Sequence, residues 1–112
     1  MKMSAYIAGV GMTHFGKHMD RTLKSLTVEA AQTAMKDAGI NKGDISAAYH
    51  ANVAAGTIVG QICIPGQVAL REMGIGGIPV VNVKNACASA STAFQQASAM
   101  VSACYYDVVL VM

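Results

Sequence analysis

Charge is scarce in this chain and nowhere concentrated. Its eight basic and six acidic residues are scattered and give a formal net charge of +2. No run of one sign is present to track a phosphate backbone or an anionic bilayer, which argues against nucleic acid and membrane surfaces as partners. Cysteine is limited to Cys63, Cys87 and Cys104. An odd number without the close spacing of a metal knuckle excludes a disulfide framework and a zinc site, and predicts free thiols in a reducing compartment, the cytoplasm by default. Lys2 precedes a short apolar stretch, but Gly9, Gly11 and His14 break it and no cleavage-like site follows, so no signal peptide is expected. Neither an internal repeat nor a low-complexity linker divides the chain. What remains is 112 residues, 54% apolar and 12% charged, a composition suited to one well-packed domain.

Two long stretches carry no Asp, Glu, Lys or Arg: Ile45 to Leu70 and Asn85 to Tyr106. Neither suits a membrane span, since the first holds His50, Asn52, Gln61, Pro65 and Gln67 and the second is crowded with Asn, Ser, Thr and Gln. Burial between protein layers accounts for them better. Ala86, Ala88, Ala90, Ala93 and Ala97 allow close backbone approach, predicting a helix buried on several sides.

The pattern along the chain alternates between strand-like and helix-like segments. Ala5 to Val10, ended by Gly11, is expected to be a strand buried on both faces. From Ser25 to Ala38, Val28, Ala31, Met35 and Ala38 recur at spacings of three and four while Glu29, Gln32 and Lys36 fall elsewhere, predicting an amphipathic helix capped by Gly39. Asn41-Lys42-Gly43 turns into a second strand, Ile45 to Val53. A glycine-broken loop leads to a short helix, Gln67 to Met73, ending at Gly74. Pro79 to Val83 is a third buried strand, Cys87 to Ala103 a long helix, and Asp107 to Met112 a fourth strand. Such alternation predicts an α/β fold with a mainly parallel sheet and helices on its faces. The final Val-Val-Leu-Val-Met has no turn or polar tail, and an uncovered apolar edge there predicts truncation at the C-terminal end.

The residue with chemical potential is Cys87. Between a strand end and the first turn of a helix, a thiol faces unpaired backbone N–H groups and the positive end of the macrodipole, both of which favour the thiolate. The same N–H groups suit a carbonyl oxygen, so the junction fits acyl transfer through thiolate attack, a tetrahedral oxyanion and an acyl-enzyme. Lys84 either adds positive potential or is a solvated turn residue. The alternative for Cys87 is a small buried hydrophobe in an alanine-rich segment. His50, on a predicted strand, is expected to be a hydrogen-bonded core or rim residue rather than a ligand.

Asn85-Ala86-Cys87-Ala88-Ser89-Ala90-Ser91-Thr92-Ala93 resembles the nucleophile segment of the thiolase family, particularly its sterol-carrier-protein-x branch. Gly9-Val10-Gly11-Met12-Thr13-His14-Phe15-Gly16 resembles that branch's first strand and loop, Glu29-Ala30-Ala31 with Asp37-Ala38-Gly39-Ile40 its first helix, and Tyr106 to Val111 the strand after the nucleophile helix. Ala90 departs from the pattern, which has glycine there, and this bears on substrate range and activity.

The resemblance implies a thiolase-like layered (αβαβα) fold, of which residues 1–112 form an incomplete N-terminal domain, the first part of the first half. It implies a coenzyme-A-dependent acyltransferase that forms or cleaves a 3-oxoacyl-CoA carbon–carbon bond, with Cys87 carrying the acyl group. The coenzyme A thioester is then substrate, no cofactor is bound covalently, and a homodimer or higher oligomer is implied for the full-length protein. The family's histidines and second cysteine belong to later motifs, and His14, His50, Cys63 and Cys104 match none of them. Cys104 stands seventeen residues past Cys87, roughly 25 Å along a helix. The 112 residues alone are therefore expected to be inactive. The rival implications are another condensing enzyme of the same fold, of ketoacyl or hydroxymethylglutaryl-CoA synthase type, and a non-catalytic subunit of a hetero-complex.

Overall fold

The computed structural model describes residues 2–112. Three parallel strands form the sheet: β1 (Ala47–Ala51) lies between β2 (Val80–Val83) and β3 (Val109–Val111), giving the order β2-β1-β3. Ala48 pairs with Val80 on one side and Leu110 on the other. Four α-helices accompany it: α1 (Leu23–Ala38), α2 (Ala55–Val59), α3 (Pro65–Glu72) and α4 (Ser89–Ser102). A 3-10 turn at Lys42–Asp44 leads towards β1.

Strand alternation sorts the core into two sides. Ala48 and Leu110 point to a cluster with Ala31 of α1, Leu70 of α3, Ile45 and Ile75. Tyr49 points the other way, to Ala93 and Ala97 of α4, joined by Val109 and Val111. The layers are thus α1 and α3, sheet, α4. The expected α/β class with a parallel sheet holds, and so do the helices predicted over 25–38 and 67–73, each starting two residues earlier. Thr22 and Ser25 explain the earlier start of α1, forming a reciprocal capping box with bonds of 3.0 and 3.2 Å. Gly39 ends it with φ at 68°, the left-handed cap predicted.

Three expectations fail: Pro79 to Val83 forms a strand but not a buried one, since Val81 and Asn82 are exposed, and the other two concern the N-terminal segment and α4. Ala5 to Val10 forms no strand, and Tyr6, Ile7 and Val10 are exposed rather than buried. The segment lies over α1, not beside a sheet edge. Gly9 and Gly11 sit so close to the helix that a Cβ on either would strike backbone atoms of Ala34 or Ala30. The Val10 N–H donates to Asp37 Oδ2 at 2.9 Å and the Ser4 N–H to Ser102 Oγ at 2.9 Å. The segment pairs with no strand among the described residues, and these two N–H groups bond side chains of α1 and α4 instead.

The third failure concerns α4, which is covered on one side only. Ser89, Ala93 and Ala97, four residues apart, are buried against the sheet, whereas Ala90, Ser91, Phe94 and Gln95 are exposed. A second layer over that face is not supplied by the described residues. Smaller differences are a helix, α2, where only a loop is expected, and strands β1 and β3 shorter than the predicted Ile45 to Val53 and Asp107 to Met112.

Candidate active site

β2 ends at Val83, and six residues later, at Ser89, the chain enters α4. The turn between them is Asn85-Ala86-Cys87-Ala88, and its shape depends on Ala86, which takes φ of 45°. For a residue with a Cβ the left-handed region costs about 1–2 kcal/mol, so neighbouring contacts must hold it. Ser89 does so from below. Its buried hydroxyl donates to the Ala86 carbonyl at 2.7 Å and accepts from the Asn85 N–H at 2.8 Å. The Asn85 side chain adds a third tie, donating through Nδ2 to Thr92 Oγ1 at 2.9 Å. Backbone bonds from Ala88 N–H to Asn85 O and from Ser89 N–H to Ala86 O close the turn.

Cys87 stands at the crest of this turn, exposed, one residue before the N-cap Ala88. Among the described residues its thiol is not enclosed. Helix α4 begins at Ser89, so the thiol lies just outside the helix rather than within its first turn as the predicted Cys87 to Ala103 helix had it. No side chain caps α4, and the N–H groups of Ala90 and Ser91 donate to no acceptor among the described residues. Unpartnered donors at a helix start favour negative charge in front of them.

The other candidates are dispersed. Cys104 is at the opposite end of α4, exposed, with φ of 56°, a helix-end residue and not a core one. Cys63 is exposed in the loop after α2. His14 is also exposed, and its carbonyl meets the His18 ring at 2.7 Å. Lys84 is exposed and forms no ion pair among the described residues.

His50 differs from its expectation. It is buried at 3% exposure, yet its Nδ1 is fully enclosed without a hydrogen-bond partner. Burial lowers its pKa from the ordinary 6.5, holding the ring neutral. Gly66 of α3 is pressed against it, where a Cβ would fall 2.8 Å from His50 Cβ and 2.9 Å from Asn82 Oδ1. The sequence signals neither this orphan nitrogen nor the Asn85–Ser89–Thr92 brace. For the brace, an Asn followed four and seven residues later by hydroxyls across a strand-to-helix junction is the usable sign.

Comparison with known proteins bears on the whole chain. Residues 5–112 match the family described as thiolase, N-terminal domain. An acetyl-CoA acetyltransferase of Methanocaldococcus jannaschii is 43% identical over 105 residues, covering 94% of this chain and 26% of that protein. Sterol carrier protein 2 of Gallus gallus is 34% identical over 112 residues, covering 98% of this chain and 20% of that protein. Among solved structures, the acetyl-CoA acetyltransferase of Syntrophomonas wolfei superposes with a TM-score of 0.78 at 22% identity, over 94% of this chain and 27% of that one. The chain thus spans about a quarter or less of the relatives it matches. The fold is thiolase-like, and with the family match running from residue 5 to residue 112, the chain belongs to the thiolase family as part of its N-terminal domain.

Proposed function

We propose that the full-length protein is a thiolase-type acyltransferase in which Cys87 carries the acyl group. The observation that carries this reading is the position of Cys87, exposed on a braced left-handed turn before unpartnered helix N–H groups, in a chain matched by the thiolase N-terminal domain. The Cys87 thiolate attacks the carbonyl carbon of an acyl-CoA thioester. The new carbon–sulfur bond forms, the bond to coenzyme A breaks, and the departing thiolate takes up a proton. A second acyl-CoA, deprotonated at its α-carbon, then takes the acyl group from Cys87 to give a 3-oxoacyl-CoA. The reverse sequence cleaves one. Names of relatives, acetyl-CoA acetyltransferases among them, support a coenzyme A thioester as substrate.

The 112 residues alone turn over no substrate in this reading. Among the described residues no hydrogen bond ties a histidine or a second cysteine to Cys87 to move the protons. The full-length protein works as a homodimer or higher oligomer, and it takes its substrate from water rather than from a bilayer. No helix among the described residues is long and apolar enough to cross a membrane.

The test is to incubate the full-length protein with acetyl-CoA alone, digest it and weigh the peptide containing Cys87. One acetyl group on that peptide is the expected result. An unmodified peptide, together with a Cys87→Ala variant as active as the parent, refutes the reading and leaves a non-catalytic subunit.

A further inference from the structure

The brace around Cys87 reaches further than the turn itself. Ser89, which is buried, ties two neighbouring backbone groups, the Asn85 N–H and the Ala86 carbonyl, at 2.8 and 2.7 Å. Both groups belong to the turn, and Ser89 is the first residue of α4, so these bonds close the turn without fixing its angle to the helix beyond. The Asn85 side chain supplies that second constraint. Its Nδ2 donates to Thr92 Oγ1 at 2.9 Å, seven residues along the chain and most of a helical turn past Ser89. Thr92 is anchored in its turn, its N–H donating to the Ala88 carbonyl at 2.9 Å.

Thr92 is used differently from the threonines of α1. Thr27 and Thr33 donate to the carbonyls four residues back, those of Leu23 and Glu29, at 2.9 and 2.8 Å, the ordinary bond of a threonine inside a helix. Thr92 Oγ1 makes no such bond to the Ala88 carbonyl among the described residues and takes the Asn85 amide instead. It is half-buried beside Ala93, which packs on the sheet, so the far end of this tie is held still while Asn85 stands exposed at the near end.

What needs holding is the backbone at Ala86, in the left-handed region with φ of 45°. Released, it relaxes towards the ordinary regions and carries the next residue, Cys87, away from the unpartnered N–H groups of Ala90 and Ser91. The structure assigns Thr92 the role of a positioning residue, which keeps Cys87 in front of those N–H groups through the Asn85 side chain and with no hydrogen bond of its own to the thiol. This role rests on the acyl-cysteine reading for its use in catalysis, whereas the reactivity of the thiol is measurable without acyl-CoA.

The test is alkylation of the full-length protein with iodoacetamide at pH 7, with the rate at the Cys87 peptide followed by mass spectrometry and the Cys63 and Cys104 peptides of the same digest as controls. Thr92→Val keeps the shape of the side chain without its acceptor. It is expected to slow labelling of Cys87 about fivefold, what one lost hydrogen bond is worth in the balance between held and released turns. Labelling of Cys63 and Cys104 should not change. Thr92→Ser, which keeps the hydroxyl, is expected to restore the rate. Asn85→Ala should match Thr92→Val, and the double variant should be no slower than either, since both remove the same link. The proposal is overturned by unchanged or faster labelling of Cys87 in Thr92→Val, by equal slowing at all three thiols, by a Thr92→Ser variant as slow as Thr92→Val, or by additive losses in the double variant. Failure of the acyl-cysteine reading shows separately, as a Cys87 that follows this alkylation pattern yet takes no acetyl group from acetyl-CoA.

Discussion

Ala86 and Ser89 decide whether Cys87 is presented at all. The left-handed backbone at Ala86 is a strain that glycine does not feel, so Ala86→Gly is expected to raise stability by about 0.5–1 kcal/mol in urea melts despite glycine's greater unfolded-state freedom. Ala97→Gly, in the buried face of α4, is the control and should lower it. Ser89→Ala removes two hydrogen bonds at a buried site and is expected to cost about 1–3 kcal/mol. His50 makes a prediction in pH. Burial sets its folded pKa below the unfolded 6.5, so between the two values unfolding takes up a proton. Its contribution is present in full above about pH 6.5 and is lost as pH falls through that window, at up to about 1.4 kcal/mol per pH unit. His50→Gln should flatten this part of the stability profile, measured as urea midpoints from pH 7 downward. The place of Cys87 at a strand-to-helix junction was legible in the sequence, because the strand pattern gives way there to an alanine-rich helix pattern. The orphan nitrogen of His50 was not, since it depends on which side chains fail to reach it across α3.

At the scale of elements, α1 was readable because Ala31 and Met35 keep a 3.6-residue period while Glu29, Gln32 and Lys36 stay in water. The run Ala5 to Val10 was misread for a definite reason. Apolarity and β-branching say that a segment suits a sheet, but not that it will pair with a strand, and the sheet of the described residues is β2-β1-β3 without it. Gly9 and Gly11 were the overlooked sign, because they let the segment press onto the α1 backbone instead. Contact between α3 and β1 rests on Gly66 in the same way. Gly66→Ala must push the helix off His50 and Asn82 and is expected to cost about 1–3 kcal/mol, read as a lowered thermal midpoint.

For the whole molecule, the parallel sheet and the two-sided core followed from the alternation of segments, while the burial of α4 did not. An uncharged helix was expected to be enclosed, yet Phe94 stays 49% exposed, and Tyr6, Ile7 and Phe15 are barer still. Exposed apolar surface of this extent favours association. The 112-residue chain by itself is therefore expected to self-associate with rising concentration in sedimentation, and Phe94→Glu to reduce it. The thiolase-like fold gives these surfaces a setting, and the acyl-carrying role proposed for Cys87 is the chemistry to test in it. The most direct measurement is the first burst of free coenzyme A when the full-length protein is mixed rapidly with excess acetyl-CoA, before a second acetyl-CoA takes up the acyl group. The account predicts a rapid release of one equivalent per chain, absent in Cys87→Ala; no release, or the same release from the variant, would contradict it.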